Sequence, residues 1–124
     1  MPGRLRVLIV DDHPSIVRAV SRLLGFDHDV VGSLSHGEGL LQAAQSLQPE
    51  VILLDVNLPD INGLTACRQV VQAHPEIKVI VFTAADDPDT RRRAFEAGAC
   101  AVVDKVEFGG ELLSTLKSLD EGRH

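Results

Sequence analysis

Three aspartates, a threonine and a lysine stand where short apolar runs of this chain give out. Asp11 and Asp12 follow the run 5–10, Asp55 follows 51–54, Thr83 ends 78–83, and Lys105 comes just after 101–103. Together these residue types have a chemical logic. Crowded carboxylates repel one another, and sharing a hard divalent cation lowers that repulsion. Mg²⁺ suits such a group, because it takes oxygen ligands and keeps several waters, so two or three carboxylates suffice. A lysine ammonium can meet phosphoryl oxygens as a point charge, and a threonine hydroxyl can donate a hydrogen bond to another. A carboxylate not fully engaged with the cation can attack phosphorus and form an acyl phosphate. Positioning and charge stabilisation then supply most of the catalysis.

Taken singly, each residue has a plainer reading. Asp11 and Asp12 precede Pro14 and could simply open a helix, where aspartate is favoured. Asp55 could be a loop residue, Thr83 alone is uninformative, and Lys105 could be a surface lysine. The joint pattern is the signal: each falls where a successive strand is expected to end.

The elements that must position them are written in the hydrophobic spacing. Apolar runs at 5–10, 29–33, 51–54, 78–83 and 101–103 read as strands. The first, third and fourth are almost continuously apolar, as expected when both faces of a parallel sheet are covered. Helix-period segments lie between them at 14–24, 37–47, 63–73, 88–97 and 107–119. The first places Ile16, Val17, Val20, Leu23 and Leu24 on one side and is expected to stop at Gly25. The second does the same with Leu40, Leu41, Ala44 and Leu47. Pro88 suits a first helical turn, and Gly98 a helix end. Strand plus crossover recurs about every 25 residues, as right-handed βαβ units require. The expected fold is a doubly wound α/β domain with a parallel sheet of five strands, occupying residues 1–124 with a core over about 4–119. In such sheets ligands bind outside the carboxyl ends of the strands, at the switch point in strand order.

Bulk properties exclude several function classes. The 124 residues carry 18 acidic and 12 basic side chains, a formal net charge of −6, which argues against direct nucleic-acid binding. The basic run Arg91-Arg92-Arg93 has no aromatics interleaved and reads as a solvated helix face. Aromatics make up 3% of the chain, so Val, Leu, Ile and Ala must build the core. Cys67 and Cys100 lack metal-site spacing and read as small buried thiols. No apolar run reaches the ~18 residues of a membrane span, and Met1 to Arg4 does not read as a signal peptide, so a cytoplasmic location is expected. Of the histidines His13, His28, His36, His74 and His124, only His13, beside the acidic pair, has a modest role in prospect; the others read as solvated.

The motifs that carry these residues resemble those of bacterial two-component response-regulator receiver domains. They are Val7-Leu8-Ile9-Val10-Asp11-Asp12-His13-Pro14, then Ile52-Leu53-Leu54-Asp55-Val56-Asn57-Leu58-Pro59-Asp60-Ile61-Asn62-Gly63, then Val79-Ile80-Val81-Phe82-Thr83-Ala84, then Gly98-Ala99 followed by Lys105. The likeness extends over residues 4–119. It implies a (βα)5 flavodoxin-like fold with strand order 2-1-3-4-5, and a phosphorylation-dependent signalling switch that catalyses only its own phosphorylation and dephosphorylation. Asp55 matches the phosphoacceptor. Asp11 and Asp12 match the acidic pair, Asp12 the more direct ligand of Mg²⁺ and Asp11 acting largely through water; Mn²⁺ would substitute. Asn57 matches the position that binds metal through its backbone carbonyl. Thr83 matches the switch hydroxyl, Lys105 the lysine that pairs with the phosphoryl group, and Ala84 a small residue that leaves it room. Gly63 matches a glycine that relieves a crowded turn. The implied partners are a sensor histidine kinase or phosphotransfer protein. An output domain or protein would be met through the fourth helix, fifth strand and fifth helix, with a homodimer on phosphorylation. Asp-Asp-His-Pro resembles receivers that precede helix-turn-helix output domains, and the tail 120–124 does not decide between such a piece and a single-domain regulator.

The chain also departs from that pattern. Many receivers carry Tyr or Phe where this chain has Val102, three positions before the lysine, and a valine has no two-state ring swing. Val106 follows the lysine where proline is common. Two other readings compete. Haloacid-dehalogenase-like phosphatases also use an aspartate nucleophile at a strand end, but need an acid two residues on, where this chain has Asn57. A nucleotide or flavin site lacks its glycine motif and its aromatics. A pseudo-receiver that serves as a protein-interaction module without being phosphorylated is the alternative that Val102 keeps open.

Overall fold

In the computed structural model, which describes residues 4–84, 87–106 and 108–122, strands and helices alternate. They are β1 (Arg6–Val10), α1 (Pro14–Leu24), β2 (Asp29–Leu34), α2 (Leu40–Leu47), β3 (Val51–Asp55), α3 (Gly63–Ala73), β4 (Lys78–Thr83), α4 (Pro88–Glu96), β5 (Ala101–Asp104) and α5 (Phe108–Gly122). Every strand pairing is parallel and the sheet order is β2-β1-β3-β4-β5, as the sequence led us to expect. The expectations about Met1 to Gly3, Glu107 and His124 fall outside the described residues.

Successive strand residues point to opposite faces, and both faces here are apolar. Leu8, Val10, Ile52, Leu54, Val79 and Val81 pack against Leu40 and Ala44 of α2, Leu64, Cys67 and Val70 of α3, and Ala94 of α4. Their neighbours Val7, Ile9, Leu53, Ile80, Phe82 and Val103 pack against Val20 and Leu24 of α1 and Leu112 and Leu116 of α5. β3 is buried at every position. Each such side chain contributes roughly 1.5–3 kcal/mol of burial, so the central strands are held firmly and the loops at their ends hang from a rigid sheet.

Several local expectations need correction. α2 begins at Leu40 rather than residue 37. The backbone N–H groups of Gly37 and Glu38 donate to Asp60 at 2.8 and 2.9 Å, and Gly39 sits at φ 85°, so these residues form a loop tied to the β3–α3 segment. Leu41 projects outward, 41% exposed, because the short α2 has room for only a narrow apolar stripe. α1 does end at Leu24, but Gly25 is right-handed (φ −61°), so its left-handed freedom is not what stops the helix. That freedom is used at Gly98, at φ 105°, where the chain leaves α4 for β5. Cys67 is buried, with burial pushing its thiol pKa up to about 11, whereas Cys100 is exposed rather than buried. His28 is buried rather than solvated: its Nδ1 accepts a hydrogen bond from the Leu5 N–H at 3.2 Å.

Candidate functional site

β1 leads to β2 on one side of the sheet, and β3 opens the other side, so the switch point lies between the carboxyl ends of β1 and β3. Val10 pairs with Leu54 across it. The next residue on each strand is therefore Asp11 on one side and Asp55 on the other. Thr83 is the last residue of β4, and Lys105 follows the last residue of β5. Its backbone N–H donates to the Thr83 carbonyl at 2.9 Å, which keeps the lysine at the sheet edge.

The side chains converge. Lys105 Nζ lies 2.7 Å from Asp11 Oδ2 and 3.1 Å from Asp55 Oδ2, and the lysine side chain is only 9% exposed. Its ammonium also stands 5.7 Å above the centre of the Phe82 ring, which floors the site. Ligand atoms of Asp11, Asp12, His13 and Asp55 all lie within 4.8 Å of one another. Asp55 Oδ1 accepts from the Asn57 N–H at 3.1 Å, and Asp11 Oδ1 from the His13 N–H at 2.9 Å. The remaining oxygens, Asp11 Oδ2, Asp55 Oδ2 and Asp12 Oδ1, are shut off from solvent and receive no hydrogen bond of good geometry. For two of them the Lys105 ammonium is a close ionic neighbour rather than an aligned donor.

Neither Asp11 nor Asp12 caps α1: the N-cap residue is His13, and no side chain caps that helix. The contrast with α3 and α4 is direct. There Asn62 accepts from the Leu64 N–H and Asp87 from the Thr90 N–H, each at 2.8 Å. Burial pushes the Asp55 carboxyl above its usual range, and the Asp11 charge adds to this, while the Asn57 N–H and the Lys105 ammonium pull the other way. Three acids and one ammonium leave an excess of negative charge in a partly desolvated pocket. Oxygen donors of this kind suit a hard divalent cation.

The loop after Asp55 is shaped by Gly63. A Cβ there would stand 2.1 Å from the Asp55 carbonyl oxygen and 2.6 Å from Val56 Cα. The Gly63 N–H donates back to Val56 O at 2.7 Å, and Asn57 bridges Asn62. Any side chain at Gly63 would push against the backbone of Asp55 itself. Thr83, at the end of β4, is fully buried. Val102 is buried in the cluster under α3 and α4.

The residue pattern of the response regulator receiver domain matches positions 7–117. The chain belongs to that family. It is 35% identical over 122 residues to the response regulator GacA of Pseudomonas viridiflava, which covers 96% of this chain and 56% of GacA. Among solved structures, the signal receiver domain of the response regulator NarL from Mycobacterium tuberculosis superposes with a TM-score of 0.88 at 27% identity, covering 98% of this chain and 99% of that one. The BeF3-activated DrrB receiver domain superposes with a TM-score of 0.84 at 33% identity, covering 95% and 98%. The chain thus spans about half the length of the curated relatives it matches. Among the described residues of this receiver domain, no helix is long and apolar enough to cross a membrane.

Sequence reasoning found Asp11, Asp12, Asp55, Thr83 and Lys105 at one edge. It undervalued His13, whose ring nitrogen is 2.8 Å from Asp11 Oδ1, and it did not foresee Phe82 beneath the lysine or Asp60 as the tie between two loops. The first signal was present in the adjacency of His13 to the acidic pair. The second follows from strand parity, which places Phe82 on a known face once the sheet order is fixed.

Proposed function

We propose that this receiver domain accepts a phosphoryl group on Asp55 and uses it to switch the surface it offers to an output partner. The observation that carries the reading is the cluster at the switch point. A buried Asp55 stands with one oxygen held by the Asn57 N–H and the other beside Lys105 and Asp11. In the step itself, an Asp55 carboxylate oxygen attacks phosphorus of a phosphohistidine on a partner kinase or phosphotransfer protein. The P–N bond breaks and the imidazole leaves with its electron pair, or a small phosphodonor loses its own leaving group instead. Asp11, Asp12, Asp55 and the Asn57 carbonyl would hold Mg²⁺, with Mn²⁺ as a substitute, and the ion would neutralise charge on the transferring group. Lys105 exchanges its aspartate contacts for a phosphoryl oxygen. Thr83 donates its hydroxyl hydrogen to another oxygen and draws on the segment leading to α4, biasing a pre-existing two-state equilibrium. Water later cleaves the acyl phosphate and resets the switch.

The output surface on this reading is α4, β5 and α5. Phe95 and Val106 are exposed there at 46% and 75%, which suits a protein contact, a homodimer on phosphorylation included. Arg92 is already engaged with Asp89 and Glu96 on its own helix, and the chain's acidity speaks against nucleic acid as this domain's direct partner. The one-unit reading of residues 1–124 and a cytoplasmic setting complete the proposal. A pseudo-receiver that is never phosphorylated is the second reading, favoured by a buried valine at 102 where a switching ring is common.

Intact mass after incubation with Mg²⁺ and acetyl phosphate tests it, with Asp55→Ala in parallel. One added phosphoryl group is expected in the parent protein, and none without Mg²⁺ or in the variant. An adduct that survives in Asp55→Ala overturns the assignment of the acceptor. Its absence with both acetyl phosphate and a phosphorylated kinase leaves the pseudo-receiver.

A further inference from the structure

One nitrogen shares the point at which the acidic oxygens meet. His13 Nδ1 lies 2.8 Å from Asp11 Oδ1 and 3.2 Å from Asp12 Oδ1. Two donors at right angles around an octahedral ion with bonds of about 2.1 Å stand about 3.0 Å apart. The histidine nitrogen and the two carboxylate oxygens therefore already have the separations of neighbouring ligands on one ion. We propose that the His13 imidazole is a nitrogen ligand of the divalent-cation site and tilts it from Mg²⁺ toward borderline transition ions such as Ni²⁺ and Co²⁺. The proposal rests on the reading that Asp11, Asp12 and Asp55 hold a divalent cation.

Two further observations point the same way. The first is the position of the lysine at this edge. The Lys105 ammonium faces Asp11 Oδ2 at 2.7 Å, Asp55 Oδ2 at 3.1 Å and His13 Nδ1 at 3.4 Å, so a positive group meets the imidazole together with the acids. The second is that the side chains of Asp11 and Asp55 are 1% and 3% exposed, yet their Oδ2 atoms receive no well-formed hydrogen bond, and one ligand atom from each of Asp11, Asp12, His13 and Asp55 lies within 4.8 Å of the others. Among the described residues, the polar groups that meet the ring nitrogen, Asp11, Asp12 and Lys105, all belong to this cluster. His13 is the N-cap residue of α1 but makes no side-chain cap bond, and its side chain is 57% exposed, so neither capping nor core packing fixes it there.

The chemical consequence follows from ligand type. Imidazole suits Zn²⁺, Cu²⁺, Fe²⁺ and Ni²⁺, whereas Mg²⁺ favours carboxylate, carbonyl and water. With Mg²⁺, a water can take the place of the imidazole at little loss. With Ni²⁺ or Co²⁺ the nitrogen adds affinity that an oxygen cannot match.

Calorimetric titration of the full chain with Mg²⁺ and with Ni²⁺ tests this, on the parent protein and on His13→Phe and His13→Gln, each first checked for an unchanged thermal melt. We expect prebound Ni²⁺ to block Mg²⁺ binding to the parent, since both ions would share one site. We expect Ni²⁺ affinity to fall about 10- to 100-fold in both variants, and Mg²⁺ affinity to move by less than about threefold. The visible absorption of the Co²⁺ form should also change in both variants. Unchanged Ni²⁺ affinity overturns the proposal, as does a parallel loss of both ions, which would make His13 a residue that only positions Asp11. Prebound Ni²⁺ that leaves Mg²⁺ binding unchanged is bound elsewhere and overturns it too. If the parent protein binds no Mg²⁺ and Asp55→Ala leaves Ni²⁺ binding untouched, the cation reading itself fails and the His13 proposal with it.

Discussion

The two edges of the same sheet treat charge in opposite ways. At the amino-terminal edge, charged groups are satisfied. Arg4 reaches Asp29 at 2.9 Å and the His28 carbonyl at 3.1 Å, Glu50 Oε1 accepts the Arg6 N–H at 3.0 Å, and its carbonyl accepts the Lys78 N–H at 3.0 Å. Charge there stitches neighbouring strands together in view of solvent. At the carboxyl-terminal edge, Asp11 and Asp55 are buried, crowded by Asp12, and offset by one ammonium. Both edges terminate the same buried strands, so packing does not explain the difference. A fold can satisfy its end charges with ordinary hydrogen bonds, as the first edge shows. At the second edge, buried carboxylates instead share the Lys105 ammonium and lack well-formed hydrogen bonds on their Oδ2 atoms, which is the arrangement the proposed cation and phosphoryl group would complete.

Removing Lys105 should have the largest effect on this contrast. Its ammonium stands 2.7 and 3.1 Å from Asp11 and Asp55, and breaking a buried ion pair by deleting one partner commonly costs about 3–5 kcal/mol. Lys105→Met in metal-free buffer should therefore lose stability on that scale in urea unfolding, and added Mg²⁺ should restore a good part of it. A loss below about 1 kcal/mol would place this edge with exposed pairs and break the comparison.

A smaller effect, of opposite sign, is expected from Asp55→Asn. Burial and the Asp11 charge push the Asp55 carboxyl upward, so the folded protein resists its ionised form. An asparagine keeps the shape and can still accept from the Asn57 N–H. Metal-free Asp55→Asn should unfold at higher urea than the parent, by a gain of about 1 kcal/mol, typical when a functional site is relaxed. Added Mg²⁺ should narrow that gap by stabilising the parent more. A variant less stable than the parent without metal would mean that Lys105 fully compensates the acids.

Much of this was legible in the residues, and the reason is physical. Both faces of β1, β3 and β4 are covered, so their apolar runs are continuous and their ends sharp. The chemical residues sit at those ends or just beyond them, and sheet order then brings them to one edge. What was not legible depended on contacts between distant segments. Asp60 takes the N–H groups of Gly37 and Glu38 and so sets the start of α2 three residues late. The burial of His28 depends on its pairing with the Leu5 N–H, a partner 23 residues away. Local spacing carries no trace of either.

That histidine supplies the smallest and most selective test of the comparison. His28 is the buried titratable group of the amino-terminal edge, and unlike Asp55 it is neutral and satisfied there. Burial lowers its pKa below the usual 6.5, with Arg4 adding to the effect and Asp27, Asp120 and Asp29 opposing it. The unfolded chain therefore takes up the proton at a higher pH than the folded one. The stability that the neutral ring supplies is present above pH 6.5 and is lost as pH falls from there through the folded pKa. Protonation would also put a hydrogen on the nitrogen that now accepts from Leu5. His28→Gln can keep an acceptor without titrating. Across that window its melting temperature should fall less steeply than that of the parent, while the Mg²⁺-dependent gain in stability stays the same in both proteins. Equal slopes would show that His28 is as easily protonated folded as unfolded. A changed Mg²⁺ response would show that the two edges are coupled through the strands they share, and the division drawn between them would fall.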